Sequence, residues 1–452
     1  MKKWFSLLLV LSLMAACVPA LAQDDVITLR LWGGIQPEYG YDTLAENFNE
    51  EFKDQGIELE YVRYVNDADG NLQLETYLMA GGEIDIFMGY GGLSRLTNRV
   101  EGGLVMDMTD ALAARGFDPA EELGLANVSG YRLDDRYYGV PTKYENGMYM
   151  FVNADMFEEA GIDIPYDGWT YSEFRDAAKK LTHGEGLDKV YGIYWSYNTN
   201  YDYNRLFLTT TLDEYGIYKN DECTETNFDQ PVIAESLQLI VDTMLEDESA
   251  PSRAYEVSEN LSLPSVYLEG KAAMVLGISQ MRIVKDLDTY PHDFATAIVP
   301  MPVPDESYME EYGDHKNIGG AGDLICVSSK TDYPEECVDF VIWYIQGGMA
   351  PLARGGRIPL WNGVDQAEIV AAMLDGAEGT FVEESIINYL NIDKTKLQPS
   401  ASRANWALSE IYTVMYEEME AAMYGQYDVE TAVTNMKTRG DALIEAAIKA
   451  AE

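Results

Sequence analysis

The chain has 452 residues, of which 77 are acidic and 31 are basic, and its formal net charge is −46. This charge excludes nucleic acids and anionic membrane surfaces as partners, because both repel a strongly acidic protein. The length exceeds the usual size of one hydrophobic core, and with 47% hydrophobic residues the chain can fill two cores, so two lobes are expected.

The N-terminus has the pattern of an export signal. Two lysines precede the apolar run Trp4–Ala16, which is too short for a stable membrane anchor. Two processing sites remain open. Ala20-Leu21-Ala22 predicts a signal peptide over residues 1–22, whereas Met14-Ala15-Ala16-Cys17 resembles a lipobox with lipidation at Cys17. We therefore expect a protein outside the cytoplasm that is either peripheral to the membrane or lipid-anchored.

The stretch from Tyr138 to Leu181 carries the densest local signals. Gly139 and Pro141 mark a turn, and the apolar run Met148–Val152 predicts a buried strand. Asn153 or Asp155 is placed to cap the helix that follows.

A second helix is predicted directly after that one. Thr170 and Glu173 have the spacing of a capping box, and apolar residues recur at helical spacing up to Leu181. The segment is thus a turn, a buried strand and two short helices.

This order of motifs resembles the substrate-binding proteins of bacterial carbohydrate ABC importers, extracellular solute-binding family 1. The motifs are the G-V-P turn, the F-V-N strand end, the E-E-A-G helix end and the G-W-T-Y-S-E-F capping box. Further stretches resemble the family in the same order along the chain. These are Ile27–Trp32, Leu44–Phe52, Tyr77–Phe87, Gly103–Leu112, Tyr267–Ser279 and Gly322–Tyr344.

The resemblance implies an α/β fold of two lobes, with a ligand cleft at the hinge between them. Each lobe is expected to be an open, mainly parallel sheet with helices on both faces. Lobe one is predicted over residues 26–140 and 318–355, and lobe two over 141–317 and 356–452. The chain would then cross between the lobes three times, which allows them to close around a ligand.

The function that the resemblance implies is capture of a sugar or oligosaccharide and its delivery to ABC permease subunits. A monomer without cofactor or metal is expected. Three alternatives stay open. The first is a binding protein for another solute, such as a polyamine, glycerol phosphate or a peptide. The second is a secreted glycoside hydrolase, and the third is an adhesion or sensory module that keeps the fold without a transporter.

Enzymatic chemistry has no sequence motif to support it. The chain contains no G-x-S-x-G elbow, no phosphate-binding glycine loop with lysine, and no H-E-x-x-H zinc motif. A pair of glycosidase carboxylates depends on spatial separation rather than on spacing in the sequence, so the hydrolase alternative is not excluded. A binding protein that leaves its ligand unchanged is the favoured interpretation.

Three aromatic residues end strand-like apolar runs: Trp32, Tyr90 and Trp195. Ligands of open α/β sheets lie outside the carboxyl ends of strands, and sugar rings present flat C–H faces that stack on aromatic rings. We therefore predict these three side chains as ligand contacts. For Trp32 and Trp195 a place in a hydrophobic core is the alternative.

Five polar residues are predicted at the same cleft. Glu145 lies where the first crossing between lobes is expected, Ser279 ends a strand, and Asp323 follows a glycine-rich approach. Arg354 and Arg357 flank two glycines where the chain is expected to cross again. A guanidinium there would hold a ligand hydroxyl or acidic group, or else pair with a local carboxylate.

Overall fold

The computed structural model describes residues 26–145, 149–196, 217–220, 222–276, 281–305, 320–391 and 406–451. Two mixed β-sheets organise these residues, and helices pack against both. In the described ranges no helix is both long enough and apolar enough to cross a membrane.

The first sheet has five strands in the order β2-β1-β3-β9-β4. Strand β1 pairs with β2 and β3 in parallel, while β9 runs antiparallel to both β3 and β4. The strands are β1 (Ile27–Gly33), β2 (Ile57–Arg63), β3 (Ile86–Gly89), β4 (Val140–Glu145) and β9 (Gly320–Val327).

The second sheet has four strands in the order β6-β7-β5-β8. Strand β6 is parallel to β7, and β5 is antiparallel to both of its neighbours. The strands are β5 (Tyr149–Asn153), β6 (Tyr191–Tyr194), β7 (Ala272–Leu276) and β8 (Thr296–Pro300).

Helices before β5 belong to the first sheet's half of the chain, and those that follow are shared between the two sheets. In chain order they are α1 (Tyr41–Glu51), α2 (Ala68–Ala80), α3 (Gly92–Glu101), α4 (Thr109–Ala114), α5 (Pro119–Leu123), α6 (Leu125–Ser129), α7 (Ala154–Glu159), α8 (Tyr171–Leu181), α9 (Pro231–Leu245), α10 (Arg253–Glu259), α11 (Met281–Lys285), α12 (Pro334–Trp343), α13 (Gln366–Leu374), α14 (Glu383–Leu390), α15 (Leu408–Met423) and α16 (Val429–Ala451). Short 3₁₀ turns lie at Pro37–Tyr39, Lys53–Gln55, Gly186–Asp188 and Ala350–Gly355, and π turns at Pro264–Leu268 and Tyr344–Gly348.

The capping signals in the sequence are present in the structure. The Asn153 side chain accepts a hydrogen bond from the Met156 amide at 3.0 Å, so Asn153 rather than Asp155 caps α7. Thr170 and Glu173 form the predicted reciprocal capping box at the start of α8. These bonds satisfy amide groups that would otherwise lack a partner at the helix start.

The second sheet is buried on both faces. Successive residues of β5 alternate between two hydrophobic clusters, so Phe151 packs toward the first sheet's core while Met150 and Val152 pack under α8, α9, α15 and α16. The cluster that contains Phe151 continues through α13 and α14 into the first sheet. Hydrophobic packing is therefore continuous between the two sheets.

Two short segments near the expected crossings between lobes are bonded to the first sheet. Residues from Pro141 onward are expected in lobe two, but β4 pairs with β9 in the first sheet up to Glu145. Beyond Gly356, the Tyr144 amide donates to Ile358 O and the Leu360 amide donates to Thr142 O. Residues 141–145 and 358–360 are therefore bonded to the first sheet.

The sheets are mixed rather than mainly parallel, which corrects that part of the prediction. Of the seven strand pairings, those of β9 with β3 and β4 and those of β5 with β7 and β8 are antiparallel. The cause is the chain path. A strand that arrives from the other sheet need not follow a right-handed βαβ crossover, so its direction is free to reverse.

Candidate ligand-binding site

The carboxyl ends of β1, β2 and β3 meet at one edge of the first sheet because the three strands are parallel. Tyr64, directly after β2, donates its backbone amide to Gly33 O at 2.9 Å and its hydroxyl to Met88 O at 3.0 Å. The Gly34 amide donates to the Tyr90 hydroxyl at 3.1 Å. These bonds hold Tyr90 against the backbone at the end of β1.

Gly34 is required for this close approach. A Cβ atom there would lie 2.9 Å from Tyr90 Cε2 and 3.0 Å from Asn66 Cβ, which is closer than side chains pack. The Tyr90 ring thus explains Gly34, whereas Gly33 faces Tyr61, whose hydroxyl would lie 2.7 Å from a Cβ atom there.

Asp323 lies on β9 where its pairing with β3 ends at Leu324. Its φ angle is 49°, a left-handed conformation that asparagine and aspartate adopt more readily than most residues. Thr142 Oγ1 donates to the Asp323 carbonyl at 2.7 Å and stabilises this turn of the strand. Backbone conformations of this kind are concentrated at binding sites, where the surrounding structure maintains them.

Asp323 and Arg357 form an ion pair that is almost enclosed. Arg357 Nε donates to Asp323 Oδ2 at 2.9 Å, and the two side chains are 15% and 11% exposed. Burial alone would lower the pKa of the Arg357 guanidinium, but the Asp323 carboxylate and nearby tyrosine hydroxyls outweigh it, so the pKa is raised. Arg357 therefore stays cationic beside the sheet edge.

Tyrosine side chains surround this ion pair. Tyr41 stacks on Tyr61 with ring centroids 4.0 Å apart, and the Tyr61 hydroxyl donates to Ile35 O at 2.6 Å. Burial raises the pKa of Tyr41, Tyr90 and Tyr344 well above the ordinary value near 10. The hydroxyls are neutral at physiological pH. Tyr41 and Tyr344 are fully buried and hydrogen-bond to each other beside the ion pair, and Tyr90 is 9% exposed.

Among the predicted site residues, the structure brings together Tyr90, Asp323 and Arg357. Arg354 lies apart from them. Its Nε is 3.3 Å from Asp375 Oδ2, and its carbonyl accepts from Lys285 Nζ at 3.2 Å. Of the two roles predicted for Arg354, the structure shows pairing with a local carboxylate, that of Asp375.

The indole rings of Trp32 and Trp195 belong to hydrophobic cores, which corrects the expectation that they face a cleft. Trp32 is 7% exposed, and its Nε1 donates to Glu83 O at 3.1 Å, toward the residues that precede β3. Trp195 is 2% exposed, and its Nε1 donates to Thr243 Oγ1 at 2.8 Å. Neither ring has a free face in this conformation on which a ligand could stack.

Three further predictions fall wholly or partly outside the described residues. Glu145 is described only in its backbone, which pairs with Gly320 at the end of β4. Ser279 and Cys17 lie outside the described ranges. Their roles stay predictions.

Several residues of the cluster were missed by sequence reasoning. Tyr41, Tyr61 and Tyr344 carry no motif and are distant from one another in the chain, which contains 32 tyrosines. Thr142 directly follows the predicted turn at Gly139 and Pro141 and carries no signal of its own. Only the spatial arrangement identifies these residues, because their partners come from other elements.

The Asp323–Arg357 ion pair is a polar group that is held in a fixed position among the tyrosines, a feature common in binding sites for polar small molecules. Across the ranges that the structure describes, no three His, Cys, Asp or Glu side chains come together to hold a metal ion.

The chain belongs to the bacterial extracellular solute-binding protein family, whose model matches residues 35–346. It is also similar to a protein of Streptomyces antibioticus described as an uncharacterized lipoprotein in the oleD 5′ region. The two are 26% identical over 366 residues, which cover 77% of this chain and 74% of that protein.

Two solved structures share the fold, which is the two-lobe α/β architecture expected from the sequence. One is a sugar transporter protein from Rhizobium etli in an open conformation, with a TM-score of 0.67, 19% identity, and coverage of 91% of this chain and 98% of that chain. The other is an ABC substrate-binding protein from Listeria monocytogenes in complex with cycloalternan, with a TM-score of 0.64, 19% identity, and coverage of 92% and 98%.

Proposed function

We propose that this protein binds a saccharide outside the cytoplasm and delivers it to the permease of an ABC importer. The observation that carries the proposal is the enclosed Asp323–Arg357 pair beside Tyr90, at the carboxyl edge of the first sheet. A carboxylate and a guanidinium held by each other are rigid partners for sugar hydroxyls, and they need little reorganisation on binding.

The names of similar proteins support a sugar as the solute. The Rhizobium etli protein is called a sugar transporter, and the Listeria monocytogenes protein is a substrate-binding protein of the ABC class. We propose the same ligand class and the same partner for this chain. The ligand would be released unchanged, since the site offers recognition groups and the family is one of binding proteins.

A thermal-shift screen against a panel of saccharides tests the ligand class, because a ligand that binds only the folded state raises the melting temperature. The panel includes a polyamine, glycerol phosphate and a peptide mixture as competing solutes. A shift with one of these and with no saccharide would reject sugar binding. Shorter saccharide products after long incubation would instead indicate a glycoside hydrolase.

The role of the ion pair is tested by calorimetric titration of Asp323→Asn with a shift-positive saccharide. We expect at least a tenfold loss of affinity. Asp375→Asn is the matched control, because Asp375 also pairs with an arginine but lies away from the Tyr90 cluster. Equal affinities for the two variants would remove Asp323 from the site.

The mode of membrane association is a separate part of the proposal. We propose lipidation at Cys17, since the Streptomyces antibioticus relative is described as a lipoprotein. Detergent phase partitioning should move the Cys17→Ala variant from the detergent phase to the aqueous phase. Identical partitioning of both forms, with Gln23 as the mature N-terminus, would establish simple signal-peptide cleavage.

A further inference from the structure

A groove of about 580 Å³ lies between α2 and α3, at the end of β3. One of its lining residues is Gly91, which directly follows Tyr90 in the chain. Its polar wall is formed by Asn71 and Glu75 of α2 and by Arg95, Asn98 and Arg99 of α3.

Arg99 has a structural role in this wall. Its side chain is 2% exposed, its Nε lies 3.2 Å from Glu75 Oε1, and its Nη2 donates to Asn71 Oδ1 at 2.9 Å. The guanidinium also lies over the Phe87 ring. Glu75 thus neutralises Arg99, and the pair fixes the base of the groove.

Arg95 differs from Arg99, the other arginine of the groove. Arg99, Arg354 and Arg357 each have a carboxylate oxygen within 3.3 Å. In the part of the chain that the structure describes, Arg95 has no such ion pair. Its side chain is half-buried. In the whole chain, acidic residues outnumber basic residues by 77 to 31. The groove therefore carries two guanidinium groups against the single carboxylate of Glu75.

Gly91 gives Arg95 its position. The φ angle of Gly91 is 92°, and a Cβ atom there would lie 3.2 Å from the Arg95 guanidinium. The guanidinium thus lies against the backbone next to Tyr90. Asp67, at the start of α2, is already engaged as a helix cap, because its Oδ1 accepts from the Gly70 amide at 2.8 Å.

We propose that Arg95 binds an anionic group, a carboxylate or a sulfate, on the saccharide that occupies the site. This inference rests on the proposed function and narrows it to acidic saccharides. A protein with a net charge of −46 repels an anionic ligand at long range, so binding requires a local cation that is not already neutralised. A guanidinium matches the planar oxygens of a carboxylate and also pairs with a sulfate.

Calorimetric titration with matched pairs of acidic and neutral saccharides tests the inference. The pairs are trigalacturonate with galactotriose, cellobiouronate with cellobiose, and a sulfated heparin disaccharide with its desulfated form. We expect the acidic member of at least one pair to bind tenfold or more tightly than its neutral counterpart. The uronate and heparin pairs distinguish a carboxylate from a sulfate.

Arg95→Gln should abolish that preference while leaving the affinity for the neutral member within about twofold. Lys53→Gln is the control, since Lys53 is exposed in the turn before β2, at the opposite end of that strand, and its loss changes the net charge equally. A preference retained in Arg95→Gln, or neutral members binding at least as tightly in every pair, would overturn the inference and leave saccharide binding intact. Failure of every saccharide in these pairs and in the wider panel would reject the proposed function as well.

Discussion

Trp195 is predicted from the sequence as a ligand contact, but in the structure it packs in a hydrophobic core. Its ring lies 5.5 Å from that of Phe174, and its indole is hydrogen-bonded inside the core under the second sheet. We expect Trp195→Ala to lower the free energy of unfolding by about 3–5 kcal/mol, the cost of the cavity left by a buried aromatic. Denaturant melts measure this cost, and titration of the folded protein should give unchanged affinity.

Trp406→Ala provides the matched control for that substitution. Trp406 is 37% exposed, so the same change should cost much less stability. Lower affinity in Trp195→Ala with an unaltered melt would show that the ring contacts ligand after all.

The three cysteines after residue 25 predict a second measurable property. Cys223, Cys326 and Cys337 are buried, and burial raises the pKa of both Cys326 and Cys337 to about 12. In a protein that lacks Cys17, a thiol reagent at pH 8 should therefore modify almost nothing until denaturant is added, when three thiols react. Rapid modification of the native protein would contradict this packing.

The site could be predicted from the sequence only in part. Tyr90 stands out because it ends an apolar run between two glycines, and Asp323 because it follows a glycine-rich approach; in the structure they adjoin the paired residues Gly89 and Leu324. Trp32 and Trp195 have equally suggestive positions along their strands. Local sequence does not show which face of the strand carries each ring or what packs above it, and both rings are in fact buried.

Helix α8 shows how local signals and long-range contacts combine. Its capping box was readable from Thr170 and Glu173 alone. We expect Thr170→Ala to destabilise the protein by about 1 kcal/mol, because the Glu173 amide loses its partner, whereas Thr170→Ser should retain most of the stability. Equal melts for the two variants would show that the cap contributes nothing.

Ion pairs connect the same helix to α9 and to the residues that directly follow α9. Arg175 of α8 donates to Asp242 Oδ2 at 2.6 Å and to Asp247 Oδ2 at 2.5 Å. The Arg175 and Lys179 side chains bind the Asp247 carboxylate and hold its pKa below the ordinary value near 3.8, against the opposing effect of burial.

The pH dependence follows from that shift. Because the carboxyl binds a proton more readily in the unfolded chain, the stabilisation is present above about pH 4 and is lost as the pH falls through the lower pKa of the folded state. Asp247→Asn should be less stable than the native protein at pH 7, and the gap should narrow toward pH 3. Urea melts across this range test the prediction, and a gap that widens in acid would refute it.

Elements with strong local patterns were predictable, and sheet direction was not. The capped helices and the buried strand β5 follow from spacing within a dozen residues. The antiparallel placement of β9 between β3 and β4 depends on partners far away in the chain. Periodicity within a strand contains no information about the direction of its neighbours.

The molecule as a whole has two sheets joined by several chain crossings, which is an arrangement suited to hinge motion. We expect the radius of gyration from small-angle scattering to fall when a shift-positive saccharide saturates the protein. The Asp323→Asn variant, measured at the same saccharide concentration, should remain extended. An unchanged radius for the saturated native protein would exclude closure as the signal of occupancy.

The position of β9 also has a consequence for when the protein can fold. This strand joins β3 to β4 in the middle of the first sheet, yet it is made after all the strands of the second sheet. A nascent chain that ends before Gly320 leaves β3 and β4 with unpaired edges, and such distant pairing forms slowly. The first sheet can therefore be completed only once Val327 has been synthesised, after most of the polypeptide has been made.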